Sequence, residues 1–70
     1  MEDYITIYVN GEPFNCESHT PLKDFLLYLE FDLSKTIIEY NGRIVTLPLY
    51  SSIFLRMNDS VEVVTIVGGG

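Results

Sequence analysis

The chain opens with alternating apolar and polar positions, a pattern typical of a half-buried β-strand. In the segment YITIYV at 4–9, the two isoleucines and the valine fall on one face, and the tyrosines and the threonine fall on the other. Asn10-Gly11 follows, and this dipeptide favours a tight hairpin turn in which both central residues have positive φ. The pattern therefore predicts a return strand over 12–17. Pro13 lacks an N–H group, which indicates that this strand lies at a sheet edge.

A helical period replaces the alternation after residue 20. The spacing i, i+3, i+4, i+7 places four apolar side chains on one helix face: Leu22, Phe25, Leu26 and Leu29. Thr20 is the predicted N-cap and Pro21 the first helical residue. A helix of roughly ten residues would be about 15 Å long. Because so short a helix is marginal in water, we expect it to pack on the sheet.

The second half of the chain predicts another hairpin and a final strand. Residues 37–40 and 43–45 flank a second Asn-Gly turn at 41–42, and the apolar but irregular segment 49–57 indicates a loop with a short helical turn. Asn, Asp and Ser at 58–60 are typical of a turn. Residues 61–67 form the last and most β-prone segment.

The predicted element order is β-β-α-β-β-β in one α+β domain spanning 1–70, with 67–70 as a flexible tail. If the first and last strands pair in parallel, one helix crosses a mixed sheet of about five strands, which is the β-grasp or ubiquitin-like arrangement. The predicted core consists of Ile5, Ile7, Phe14, Cys16, Leu22, Phe25, Leu26, Leu29, Ile38, Leu55, Val61 and Val63.

Composition excludes most other classes of function. A net charge of −6 argues against nucleic acid, and no apolar run has the length of a membrane span. Cys16 and His19 are the only residues of their types, so the sequence predicts no disulfide framework and no metal site. We expect Cys16 in the core and His19 in a solvated loop, which leaves no nucleophile–base pair. The acidic start opens directly into a strand pattern, so no targeting segment is predicted and a reduced intracellular compartment is expected.

The sequence ends in a strongly β-prone strand followed by three glycines. Such a segment is either a simple flexible tail or a reactive carboxyl terminus. Glycines have no Cβ, so the segment can adopt almost any backbone conformation and thread a narrow channel. The second interpretation makes Gly70 the modified residue, with Val67, Gly68 and Gly69 entering the active site of a partner.

The whole chain resembles the ThiS family of sulfur carrier proteins of thiamine biosynthesis. It is also similar, more distantly, to the small subunit of molybdopterin synthase and to ubiquitin-related modifiers. The resemblance rests on four segments, which are ITIYVNG at 5–11, TPL at 20–22, EYNGRIV at 39–45, and the closing stretch from NDSVEV at 58–63 to VGGG at 67–70.

The resemblance implies a protein co-substrate rather than an enzyme. A ThiF-like adenylating enzyme would use ATP and magnesium to activate the carboxylate of Gly70, and this chain itself would bind no cofactor. A persulfide donor such as a cysteine desulfurase would supply sulfur, leaving a C-terminal thiocarboxylate. A ThiG-like thiazole synthase would accept that sulfur. No nucleic acid or membrane partner is expected, and the compartment would be the cytoplasm or a plastid stroma.

A carrier of this kind needs a surface that its partners recognise. On the last strand, Val61 and Val63 alternate inward, which leaves Glu62, Val64 and Ile66 pointing outward as the predicted docking patch. Two alternatives remain open at this point. The chain could be a molybdopterin synthase small subunit with the same terminal chemistry, or a β-grasp protein-binding module with no carrier role.

Overall fold

The computed structural model describes residues 3–66, which form one mixed five-stranded sheet crossed by a single α-helix. The strands are β1 (Tyr4–Val9), β2 (Glu12–Glu17), β3 (Thr36–Tyr40), β4 (Arg43–Val45) and β5 (Ser60–Thr65). The helix α1 (Leu22–Tyr28) follows β2, and two 3-10 turns cover Leu33–Lys35 and Leu47–Ser52. The strand order is β2-β1-β5-β3-β4. The predicted element order and the β-grasp architecture are therefore confirmed, and the 3-10 turn before β3 is an addition.

Both predicted hairpins close through Asn-Gly turns. Asn10 and Gly11 have φ angles of 51° and 84°, and Asn41 and Gly42 have φ angles of 51° and 86°. These positive values are the ones that a two-residue hairpin turn requires, because only then does the turn follow the twist of its strands. Pro13 lies in β2, which is an edge strand as predicted.

The last strand lies in the centre of the sheet. β5 pairs in parallel with β1, where Val9 faces Val61, and antiparallel with β3, where Ile38 faces Val63. Val61 and Val63 are buried in the core, as the alternation predicted. The strand covers Ser60–Thr65 rather than the predicted 61–67, and Val67 falls outside the described residues.

The core lies between α1 and the inner face of the sheet. Its buried apolar residues are Ile5, Ile7, Val9, Leu22, Phe25, Leu26, Ile38, Tyr50, Leu55, Val61 and Val63. Three predicted core residues, Phe14, Cys16 and Leu29, are only half-buried and pack against its margin, because they lie on the edge strand or at the end of α1. Tyr50 was missed because it comes from a 3-10 turn with no regular apolar period.

The prediction for the helix ends was wrong on both sides. Pro21 is extended, with a ψ of 144°, and the helix begins at Leu22. Thr20 does not cap it, because its hydroxyl donates to the carbonyl of Glu17 at 2.6 Å. At the other end Glu30 has a φ of 68°, and the next N–H reaches back to the carbonyl of Leu26 at 3.1 Å. Because Glu30 adopts this left-handed conformation, the helix ends after seven residues, whereas about ten were predicted.

Asp59, at the start of β5, is a buried carboxylate with three donors. The hydroxyl of Tyr40 and the backbone N–H of Arg56 donate to Oδ2, and the side-chain amide of Asn41 donates to Oδ1 at 3.1 Å. These bonds tie the second hairpin to the loop before β5. Burial, together with the hydrogen bond to Asp59, raises the pKa of Tyr40 to about 12.

This pKa shift predicts a loss of stability at high pH. Tyr40 ionises near its usual pKa of about 10 in the unfolded chain but only near 12 in the folded one, so the folded state favours the neutral phenol. The contribution is complete below about pH 10 and disappears as the pH rises through about 12. We expect the free energy of unfolding to fall across this interval in denaturant titrations, and to fall less steeply in Tyr40→Phe.

The exposed Tyr28 provides the control for this measurement. Tyr28→Phe should keep the pH dependence of the wild-type chain. An equally steep decline in Tyr40→Phe would contradict the assignment.

Candidate functional site

Exposed apolar side chains lie on the outer face of the sheet, opposite α1, beside the end of β5. Val64 is 56% exposed and Ile66 is 52% exposed, and Glu62 is exposed on the same strand. Exposed β-branched residues that cluster on a small domain are candidates for a binding surface. The three residues that the sequence predicted for docking therefore share one accessible strand face, while their docking role stays a prediction.

The register of the sheet adds two residues that sequence analysis missed. Ile37 on β3 lies opposite Val64, and Ile44 on β4 is 69% exposed on the neighbouring strand. We call Ile37, Ile44, Val64 and Ile66 the outer patch. The inward alternation of Ile38 and Val45 could have shown that Ile37 and Ile44 point outward. Only the pairing of β3 with β5 shows that they lie next to Val64.

Two carboxylates lie opposite each other at one end of the outer patch. Glu39 on β3 is half-buried and lies directly opposite Glu62 on β5, with Ile44 on its other side. Like charges at directly opposed positions destabilise a sheet. No ion pair within residues 3–66 compensates either carboxylate. A partner surface that is apolar with a lysine or arginine at one end would match both the apolar side chains and the charge.

The end of the described chain is anchored at the margin of the outer patch. The backbone N–H of Ile66 donates to the carbonyl of Lys35 at 2.7 Å, which continues the pairing of β5 with β3. The predicted reactive residue Gly70 and the residues leading to it, Val67, Gly68 and Gly69, lie outside the described residues. The described chain ends at Ile66, directly after the central strand of the sheet.

Sequence analysis considered two residues for nucleophilic chemistry, Cys16 and His19. Cys16 is half-buried beside an open cleft of about 410 Å³, lined by Tyr4, Phe25 and Tyr28 among others, and burial raises the pKa of its thiol. A thiol with a raised pKa is a weak nucleophile. His19 is exposed in the connection between β2 and α1, as expected.

Two further observations concern metals and membranes. Across residues 3–66, no three side chains among His, Cys, Asp and Glu come together in a way that could hold a metal ion. In the same part of the chain, no helix has the length and apolar character needed to cross a membrane.

Comparison with known proteins agrees with this fold. The sequence model of the ThiS family matches residues 6–70. The chain is 42% identical over 66 residues to the uncharacterized protein ycf40 of Porphyra purpurea, covering 94% of this chain and 93% of that one. The ycf40 protein of Pyropia yezoensis shows the same identity over the same length.

Two other similarities differ in kind. A protein of Magnetococcus marinus named thiazole synthase is 39% identical over 64 residues, which make up 91% of this chain but only 20% of that protein. The crystal structure of a thiamine biosynthesis protein, ThiS, from Geobacter metallireducens superposes with a TM-score of 0.82 at 22% identity, covering 94% of this chain and 100% of that one. The structural likeness shows the fold, and the family match covers nearly the whole sequence. The chain therefore belongs to the ThiS family.

Proposed function

We propose that this chain is a sulfur carrier of thiamine biosynthesis, and that Gly70 carries the sulfur. The observation that supports this most directly is the family match, which runs from residue 6 through the terminal glycines to Gly70. The exposed apolar side chains of the outer patch support a carrier that partner enzymes recognise.

The proposed chemistry takes place at the carboxyl group of Gly70. A carboxylate is a poor electrophile, so an adenylating enzyme first joins it to AMP from ATP and releases pyrophosphate, using magnesium. A persulfide sulfur then attacks the carbonyl carbon and displaces AMP. Reductive cleavage of the resulting S–S bond leaves a thiocarboxylate, whose sulfur is nucleophilic. Attachment to a folded body raises the effective concentration of this sulfur at the acceptor site.

Thiazole synthase is the proposed acceptor of the sulfur. The Magnetococcus marinus protein of that name contains a segment similar to nearly all of this chain. The presence of both in one protein supports a functional link between the sulfur carrier and thiazole synthase. It also favours thiamine over the molybdopterin alternative. An adenylating enzyme and a persulfide donor such as a cysteine desulfurase complete the proposed set of partners.

The outer patch is the proposed docking surface for these partners. Its apolar side chains border the opposed Glu39 and Glu62, so the complementary surface is apolar with a lysine or arginine at one end. The proposed compartment is the cytoplasm or a plastid stroma, and the similarity to the ycf40 proteins of algae favours the plastid.

Mass spectrometry of the intact chain tests the carrier chemistry. The chain is incubated with an adenylating enzyme, ATP, magnesium, a cysteine desulfurase, cysteine and a thiol reductant. We expect a mass gain equal to the replacement of one oxygen by sulfur, located at Gly70. Deletion of Gly70 should abolish this gain, because the carbonyl carbon is withdrawn by about 3.5 Å from the site of activation. The thermal unfolding midpoint should stay unchanged.

The same enzymes must first be active on an established carrier. With that control satisfied, an unchanged mass of the full-length chain would favour the non-carrier binding module. A mass gain in the chain that lacks Gly70 would contradict the assignment of the reacting residue.

Val64→Asp tests the outer patch as a docking surface. The substitution places a third negative charge next to Glu62 in a region that contacts an apolar partner, so we expect at least a tenfold loss of affinity for the adenylating enzyme, about 1.4 kcal/mol. Isothermal titration calorimetry measures this loss. Leu27→Asp is the matched control, since Leu27 is 50% exposed but lies on α1, on the other side of the sheet. Equal affinities for the two variants would exclude the outer patch.

A further inference from the structure

Among residues 3–66, the last part of β5 has a backbone edge without hydrogen-bond partners. Successive residues of a strand direct their N–H and C=O groups to opposite sides. On the β1 side, the N–H of Asn10 donates to the carbonyl of Val61 at 2.9 Å, and on the β3 side the N–H of Ile66 donates to Lys35. The C=O of Val63 and both backbone groups of Thr65 therefore point to the β1 side.

β1 does not reach these groups. Its pairing with β5 ends where Val9 faces Val61. The chain then turns away at Asn10-Gly11, and the side chain of Asn10 takes over by accepting the N–H of Val63 at 2.8 Å. Beyond that bond, the C=O of Val63 and the N–H and C=O of Thr65 have no partner within residues 3–66. We call these three groups the open edge of β5.

The space beside the open edge is accessible. Thr65 is exposed, and a Cβ placed on Gly11 in the adjacent turn would meet no atom within 4 Å. A strand from another molecule could therefore run past this turn, in the position that β1 would occupy if it continued. Strand addition of this kind gains affinity from backbone hydrogen bonds and requires no particular side chains.

The short distance to Gly70 brings a partner that acts on Gly70 close to the open edge. Four residues separate Ile66 from the end of the sequence and span at most about 14 Å when fully extended. On the proposed function, the sulfur acceptor must bring its reacting group within that distance of the end of β5, and so must contact this end of the sheet. On the β3 side the backbone groups are already paired. The β1 side is the side with free groups.

We propose that an extended segment of thiazole synthase adds to the open edge of β5 and forms backbone hydrogen bonds with Thr65. This inference rests on the proposed function and goes beyond it. It places the acceptor at the open edge, which faces at right angles to the outer patch. The open edge and the outer patch would then both contact partners in the complex. The choice of thiazole synthase follows from the relative of that name which carries a segment similar to this chain.

Thr65→Pro and Thr65→Val separate the backbone from the side chain. Proline removes the N–H and fills its place with a ring. It should be tolerated in the free protein because this N–H is unpaired and the strand is at an edge here. Valine keeps the N–H and the β-branched shape. We expect Thr65→Pro to weaken binding to thiazole synthase about tenfold or more, and Thr65→Val to stay within about twofold of wild type.

Each outcome of the binding measurement has a definite meaning. Equal affinities for the two variants would overturn the inference and leave the carrier proposal standing, provided that the thiocarboxylate still forms on Gly70. A loss confined to the adenylating enzyme would overturn the choice of occupant. A wild-type chain that does not bind thiazole synthase would overturn the proposed acceptor and this inference together.

Amide hydrogen exchange on the wild-type chain gives a second readout that does not depend on the proline variant folding. The N–H of Thr65 should exchange rapidly in the free protein and become protected in the complex. The N–H of Val64, on the β3 side, should be protected in both states. Rapid exchange of Thr65 in the saturated complex would overturn the inference.

Discussion

The whole sheet depends on the insertion of its last strand between the first and the third. Within the described residues 3–66, β1 pairs only with β2 and β5, and β3 pairs only with β4 and β5. Without β5 the chain would be two separate hairpins, and isolated two-stranded hairpins are at best marginally stable in water. Val61 and Val63 also supply the centre of the core beneath α1. Secondary structure in the first forty-five residues is therefore stabilised by a segment that comes at least fourteen residues later in the sequence.

The two Asn-Gly turns do more than reverse the chain, because each asparagine side chain also binds β5. Asn10 accepts the N–H of Val63, and Asn41 accepts the N–H of Ser60 at 2.8 Å. Asparagine suits these positions for two reasons, since it tolerates positive φ and has an amide that can replace a missing backbone partner. The turns thus fix the position of β5 along both neighbouring strands. Asp59 adds a third attachment at the start of the strand.

Sequence patterns were sufficient for the element order and for most of the core. The alternation in β1 and β5, the apolar stripe of α1 and the Asn-Gly turns each have a short-range physical cause, so they can be read from local sequence. The helix ends could not, because the hydroxyl of Thr20 bonds to Glu17 and the left-handed Glu30 stands where glycine is usual. The role of Tyr50 depends on tertiary packing of an irregular turn.

The candidate site was predictable only along a single strand. Glu62, Val64 and Ile66 follow from the alternation of β5, but Ile37, Ile44 and Glu39 join them only through the register between strands. The open edge is even harder to predict from the sequence than these residues of the candidate site. It exists because only the end of β1 pairs with the start of β5, so that β5 continues past the point where the chain turns away at Asn10. This stagger between the two strands is set by tertiary pairing and not by local sequence.

The parallel pairing of β1 with β5 has a mechanical consequence. The start of β1 and the end of β5 point in opposite directions along adjacent strands. A force that pulls these two ends apart loads the hydrogen bonds between the strands in shear, so that several bonds must break together. Antiparallel neighbours pulled at a shared end would open one bond at a time. A force applied between the start of β1 and the end of β5 would therefore meet its highest resistance at the first step of unfolding, when the hydrogen bonds between these two strands break.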